Sequence, residues 1–261
     1  MRLNFRRLAP RSLSEVIEKL KRSLSRFRAY RGARFVYHLV TDRTFRRDHL
    51  QLLRGAGDLY QYRTITSSNR YPRIFAFLRE RLENVPSPRL LSFGCATGEE
   101  VFTLLDYFPG ARVKGIDINP ANIDCCRERL KEAGGNPNVE FELGGSAAGE
   151  VPGSYDGVLA MAVFQRPQLK TDLDIASCEK FIRFADFERS STELASCVKP
   201  GGYFAIAHSA FRFADVAVAA DFSMEMANPP GTIFFPRFDR NNRRVAGDAP
   251  EQVVFRRRQT R

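Results

Sequence analysis

The heptapeptide Phe93-Gly94-Cys95-Ala96-Thr97-Gly98-Glu99 stands between a short apolar run, Arg89-Leu90-Leu91-Ser92, and a stretch in which Val101, Leu104, Leu105 and Phe108 recur at helical spacing. Pro109-Gly110 ends that helix, and Arg112-Val113-Lys114-Gly115-Ile116-Asp117 reads as a second strand closing on a carboxylate. Strand, glycine turn, helix, strand and acid follow one another in the order of a nucleotide-binding unit. In such a unit the glycines let the backbone approach a ligand closely, and the acid accepts hydrogen bonds from ribose hydroxyls. A dinucleotide fingerprint wants glycine at the first, third and sixth loop positions, where this chain has Gly94, Ala96 and Glu99, a poor cradle for a pyrophosphate.

S-adenosylmethionine fits the loop better, because it carries a ribose, an adenine, an amino-acid tail and a sulfonium but no phosphate. The expected cofactor-binding set is the loop itself (Gly94, Cys95, Ala96, Thr97, Gly98 and Glu99), Asp117 with its neighbour Ile118, and two residues further on. One is Ser146, after the third strand Val139-Glu140-Phe141-Glu142-Leu143. The other is Met161, at the end of the fourth strand, Ser154 to Met161, where the sulfonium is expected.

The run from Leu90 to Leu130 resembles the first half of a class I S-adenosylmethionine-dependent methyltransferase. Within it, Gly94-Cys95-Ala96-Thr97-Gly98-Glu99-Glu100 is similar to the glycine loop of chemotaxis-receptor glutamate methyltransferases; Ser92 and Ala96, where the wider class has an acid and a glycine, suit that variant. Val198-Lys199-Pro200-Gly201-Gly202-Tyr203 and the following Phe204 to Ser209 are similar to the loop and fifth strand of the fold, with a His-Ser pair at its end. Thr66 to Phe75 loosely resembles the threonine-and-arginine segment ahead of the core, which would put Arg70 near the cofactor. The pair Ser68-Asn69 departs from the aromatic pair expected before that arginine. After the third strand many class I enzymes place Gly-Asp to reach the adenine amino group. Here Gly144-Gly145-Ser146 leaves that task to backbone groups or to Ser146.

Periodicity independently gives an α/β fold. Strands at 89 to 94, 112 to 117, 138 to 143, 155 to 163 and 202 to 208 interleave with helices at 98 to 108, 120 to 133 and about 179 to 197. This alternation predicts a doubly wound, mostly parallel sheet, Rossmann-like and seven-stranded by the resemblance, with ligand at the strand C-termini. Gly231 to Phe235 and Gln252 to Phe255 are expected to form its closing hairpin, and 164 to 184 and 211 to 230 to be loops shaping substrate access. Residues 86–261 form the expected core, behind an N-terminal basic helical extension, 1–85, packing on or over it. Asn228-Pro229-Pro230 reads as a turn, since it follows the fifth strand and precedes Gly231 rather than an aromatic residue.

Charge is concentrated at the ends. The net charge is +11, yet residues 1–34 hold eleven Lys and Arg against Glu15 and Glu18, and Arg256, Arg257, Arg258 and Arg261 add four more, leaving the body near neutral. Ser12-x-x-Glu15 is a capping box, and Leu13, Val16, Ile17, Leu20, Leu24 and Phe27 share one face of a helix over 12–31 with basic residues elsewhere. Such a helix can lie on anionic lipid, dock on an acidic partner or nucleic acid, or pack on its own domain with a solvated basic face. No nucleic-acid module accompanies it, which makes nucleic acid the weaker partner. Five cysteines without metal spacing and three histidines argue against a disulfide framework and a zinc site, so no metal is expected. The absence of an 18-residue apolar run and of a signal-like apolar N-terminus sets the expectation of a cytoplasmic protein, peripheral at the inner membrane surface if the helix meets lipid.

Methyl transfer from a sulfonium is an in-line displacement, for which an enzyme mainly aligns the acceptor atom and excludes water. A carboxylate acceptor needs no base, whereas a hydroxyl benefits from one. His208, the one histidine near a strand C-terminus, and Arg70 are the catalytic candidates. The expected activity is O-methylation of a protein carboxylate or of a glycan, lipid-linked or small-molecule hydroxyl. The alternative is a non-catalytic S-adenosylmethionine-binding module that docks through its basic ends.

Overall fold

In the computed structural model the described residues are 40–41, 67–166, 168–171, 175–229, 236–247 and 250–259. The chain divides into two units, Met1–Gly57 and Asp58–Arg261. Of the first, residues 40–41 are described and are helical; the expected helix over 12–31 lies outside the described residues.

The first helix among the described residues of the second unit is α1, Pro72–Arg81, opened by a proline at its first position. Its Ile74, Phe75 and Leu78 lie on one face and are buried with Leu90, Val101 and Leu104 in one layer of core. The helix therefore packs with residues of the core segment.

From there the chain alternates. β1 (Arg89–Phe93), α2 (Glu99–Tyr107), β2 (Arg112–Asp117), α3 (Pro120–Glu132), β3 (Val139–Leu143) and β4 (Tyr155–Met161) are followed by a short α4 (Gln168–Thr171). Then come α5 (Phe184–Cys197), β5 (Val198–Ala207), two 3₁₀ turns, β6 (Phe222–Asn228), the small strands β7 (Arg237–Phe238) and β8 (Arg244–Val245), and β9 (Glu251–Arg257). The sheet order is β3-β2-β1-β4-β5-β9-β6; the first five strands are parallel and β9 runs antiparallel to both its neighbours. This is the expected seven-stranded, doubly wound α/β sheet.

Period two along the strands sorts side chains between two core layers. Tyr203, Ala205 and Ala207 of β5 face the layer containing α1, while Phe204 and Ile206 face the layer containing α5 and its aromatic cluster. Every residue of β4 is buried, as the central strand of a covered parallel sheet requires. Asp156 ties the strand starts together, accepting from the Arg89 amide at 2.8 Å and pairing with Lys199 at 2.7 Å.

Three sequence expectations change. The partner of β9 at the sheet edge is Phe222–Asn228, inside a stretch expected to be loop, whereas Gly231 to Phe235 lies outside the described residues. Ser, Glu, Met and Ala give β6 little strand propensity, and pairing with β9 supplies what propensity does not. Helix α5 begins at Phe184 rather than near 179, because the Phe184 amide donates to Asn242 Oδ1 at 2.6 Å, a cap delivered from the β7–β8 turn. The C-terminal arginines are partly structural. Arg257 donates to the Ser196 and Val198 carbonyls at the end of α5, and Arg256 donates to the Gly201 carbonyl and lies over the Tyr203 ring. No helix among the described residues is long and apolar enough to cross a membrane.

Phe75 is 1% exposed and anchors α1 to the core. Phe75→Ala is expected to lower unfolding free energy by about 3–5 kcal/mol in urea denaturation; a loss below about 1 kcal/mol would mean that α1 is not part of the cooperative unit.

Candidate active site

The chain leaves β1 for β2 and β3 in one direction and returns to β4 and β5 in the other, which opens a crevice at the C-terminal ends of β1 and β4. Non-glycine residues with positive φ stand at three of the strand ends there: Ala96 (51°) after β1, Ala162 (59°) after β4 and His208 (54°) after β5. Such left-handed positions gather where a fold holds its backbone for a ligand.

The β1 loop is fastened from beneath. Gly94 and Cys95 donate to the Ile116 carbonyl at 2.7 and 3.1 Å, and the Ala96 amide donates to Asp117 Oδ2 at 2.9 Å. Asp117 Oδ1 accepts from the Asn119 amide (2.8 Å) and from Asn122 Nδ2 (3.0 Å). Burial is the largest influence on Asp117 and raises its pKa, while these three hydrogen bonds to the ionised form oppose it. A carboxylate offers about four lone-pair sites. With three engaged, Asp117 keeps capacity for about one hydroxyl rather than a full grip on two.

Gly94 (φ +73°) and Gly98 (φ +89°) are required by their backbone conformation and by protein packing. A Cβ on Gly94 would sit 2.6 Å from Val163 Cγ2, and one on Gly98 would sit 3.1 Å from both Cys126 Sγ and Phe102. The close approach that these glycines permit is thus, in part, that of neighbouring side chains. Cys95, 2% exposed, turns its thiol inward beside Cys126, and both sulfurs face the Ala96 carbonyl, at 3.8 and 3.2 Å. Thr97 and Glu99 are held by Arg129 of α3, which donates to the Thr97 carbonyl and pairs with Glu99 at 2.8 Å. Ile118 lies over Gly145, whose missing Cβ leaves it room. Ser146 donates to Glu193 at 2.6 Å and accepts from the Ala148 amide at 3.0 Å, which leaves its oxygen one lone pair for a ligand. Met161, 8% exposed, closes β4 opposite Ala207.

Glu100, Tyr71, Glu251 and Arg237 were not singled out by sequence. Glu100 reaches back from α2 to accept from Ser92 Oγ at 2.7 Å, so a carboxylate stands beside the position where the class carries its strand-end acid. Burial pushes the Glu100 pKa up to about 7, against the opposing pull of Ser92 and of Arg70. Arg70 lies over the Tyr71 ring, 5.3 Å from its centre, and the Tyr71 ring meets that of His208 at 5.5 Å. The Tyr71 hydroxyl is buried and makes no hydrogen bond. The His208 amide donates to Glu251 Oε1 at 2.6 Å; Glu251, 2% exposed, also accepts from Asn228 and pairs with Arg237 at 2.9 Å. Arg70 and His208 are thus brought together through Tyr71, beside Glu100. The spacing of Glu100 one residue after Glu99, on the inward side of an amphipathic helix, was the available signal for the first of the missed residues; Glu251 and Arg237 depend on the topology of β7 and β9.

Two changes test this account of the loop. Gly94→Ala is expected to cost about 1–3 kcal/mol through its clash and its left-handed backbone, and Val163→Ala in the same chain is expected to restore part of the loss in thermal denaturation. Full recovery would assign the whole cost to the clash, and no recovery would assign it all to the backbone.

Residues 91–204 match a family model described as a methyltransferase domain. The chain is 40% identical over 76 residues to the malonyl-[acyl-carrier protein] O-methyltransferase of Acetivibrio thermocellus, covering 29% of this chain and 25% of that one. It is 29% identical over 144 residues to the methyltransferase GfsG of Streptomyces halstedii, covering 54% and 46%. Among solved structures, the PH0226 protein of Pyrococcus horikoshii OT3 aligns at a TM-score of 0.38 and 22% identity over 60% of this chain and 64% of that one. The chain spans between a quarter and just under half of the length of the curated relatives it matches. The segment that runs from β1 through the glycine loop and Asp117 into β5, residues 91–204, is thus similar to a methyltransferase domain.

Proposed function

We propose that this chain transfers a methyl group from S-adenosylmethionine to an oxygen atom of its acceptor. The observation that carries the reading is a loop whose Ala96 amide is held by Asp117, next to a half-buried carboxylate, Glu100, backed by Arg70. In this reading Asp117 takes a ribose hydroxyl, Glu100 the ammonium and Arg70 the carboxylate of the amino-acid tail. Ile118 and the Gly144-Gly145 backbone flank the adenine, with Ser146 contributing its remaining lone pair, and Met161 borders the sulfonium. The cofactor, when bound, supplies an electrophilic methyl carbon on a cationic sulfur. The protein's part is to align the acceptor and keep water out, and the buried ends of β4 and β5 suit that task.

An oxygen acceptor agrees with the sequence of the glycine loop, similar to that of chemotaxis-type enzymes acting on a protein carboxylate, and with the O-methyltransferase named in Acetivibrio thermocellus. A glycan, lipid-linked or small-molecule hydroxyl is the other class, for which His208 would serve as base. The engagement of Arg256 and Arg257 with the protein's own backbone weighs against a docking module that works through its C-terminal end. The basic segment 1–34 would bring the protein to an anionic membrane surface. Co-sedimentation with anionic vesicles is expected to fall when 1–34 is removed, and equal binding by the shortened chain would remove the membrane from the reading.

Calorimetry with S-adenosylhomocysteine and with 5′-methylthioadenosine, which lacks the amino-acid tail, tests the site. Glu100→Gln is expected to weaken S-adenosylhomocysteine by roughly tenfold or more, the worth of a charge-assisted hydrogen bond, and to leave methylthioadenosine within about twofold. Absence of binding of either compound by the unaltered chain would sink the cofactor reading. As pH falls through about 7, Glu100 takes up a proton and loses its attraction for the ammonium. Affinity for S-adenosylhomocysteine is therefore expected to drop about tenfold between pH 8 and pH 6, with methylthioadenosine unaffected.

A further inference from the structure

The β7–β8 hairpin crosses the ends of the strands on the side away from Asp117. The Phe238 amide donates to the Ala210 carbonyl and the Ala210 amide to that of Phe164, so β7 lies against the loops that follow β5 and β4. Arg237, the first residue of β7, carries a side chain 16% exposed. Its Nη2 stands 2.9 Å from Glu251 Oε1, the same oxygen that accepts from the His208 amide. Neither Nε nor Nη2 of Arg237 makes a well-directed hydrogen bond, and both are buried. A guanidinium has five N–H donors, and native proteins seldom leave buried donors unmet without a reason.

Glu251 does not compensate this charge fully. Burial is the largest influence on Arg237 and pulls its pKa below the usual arginine value despite the carboxylate beside it. A second unmet donor, the Tyr71 hydroxyl, lies under the same histidine, with the two rings 5.5 Å apart. Both buried donor groups lead to His208, Tyr71 by direct ring contact and Arg237 through Glu251, which accepts from the His208 amide. Arg212 is itself held by Asp215 in two hydrogen bonds of 2.9 and 3.1 Å, so the incompletely compensated charge here is the one on Arg237. Such a setting suits a single negative charge better than a dianion.

We propose that the Arg237 guanidinium and the Tyr71 hydroxyl form an acceptor-side subsite that takes a carboxylate group, which makes carboxylic acids the substrate class of this chain. The proposal rests on the methyltransferase reading of the same crevice. The guanidinium presents parallel donors to the planar group, and the phenol donates to one of its oxygens. Glu251 keeps Arg237 in place and fixes the end of β5 through the His208 amide, so the subsite and the strand end move as one.

The full chain, loaded with S-adenosylhomocysteine, is titrated with butyrate, with its neutral isostere butyramide and with inorganic phosphate, followed by NMR. Butyrate is expected to bind at least tenfold tighter than butyramide and tighter than phosphate. Arg237→Gln is expected to abolish that preference, Arg237→Lys to recover part of it, and Tyr71→Phe to weaken butyrate severalfold, with S-adenosylhomocysteine affinity within twofold throughout. Because Arg237→Gln leaves Glu251 as a buried unpaired charge, Arg237→Gln with Glu251→Gln is measured alongside and is expected to show the same loss. Butyrate binding that survives in the double variant, butyramide binding as tightly as butyrate, or phosphate binding more tightly than either would overturn the carboxylate subsite. Failure to bind S-adenosylhomocysteine would instead strike the underlying methyltransferase reading.

Discussion

The Asp117 carboxylate is the constraint on which the loop after β1 and the start of α3 depend. It is a charge in a buried position, which the sheet tolerates because three N–H donors converge on it: the Ala96 amide from the loop after β1, and the Asn119 amide and Asn122 side chain from the start of α3. One side chain thereby sets the separation of two strand ends and the direction of two helices. The left-handed conformation of Ala96 follows from it, since the amide must turn toward the carboxylate. Arg129 closes the same loop from outside by holding Thr97 and Glu99, so the turn is gripped on both flanks.

The legible part of the fold was the part built from local rules. The alternation of β1, α2, β2 and α3 could be read because apolar spacing, Pro109-Gly110 and the terminal Asp117 all lie within about thirty residues of one another. The sheet edge could not be read. β6 has weak propensity and is a strand because β9 pairs with it, while α5 starts five residues later than its pattern implied because Asn242, from a distant turn, caps it. The site shows the same division. The strand-turn-helix context of the loop and the strand-end position of Asp117 could be read, but the protein contacts of their side chains could not: Cys95, Thr97 and Glu99 meet protein partners, and the two glycines make room for Val163, Cys126 and Phe102.

On the other side of the crevice the chemistry is assembled from far-separated residues. Tyr71 comes from the lead of α1, His208 from the end of β5, Arg237 from β7 and Glu251 from β9. No periodicity joins these positions, and their meeting depends on β9 lying between β5 and β6. A buried carboxylate shared by a backbone amide, an asparagine and an arginine is costly to disturb, because removing any one partner leaves the others with an unmet group.

The placement of β9 also has a consequence for how the protein acquires its site during folding. The parallel half, β1 to β5, closes through contacts between successive elements, and the loop with Asp117 is complete once residue 122 has joined it. The antiparallel end forms only when Glu251–Arg257 pairs with β5 and gives β6 its partner, a pairing of high sequence separation and correspondingly slow closure. Until that pairing is made, the edge of β5 stands as an open template for another strand.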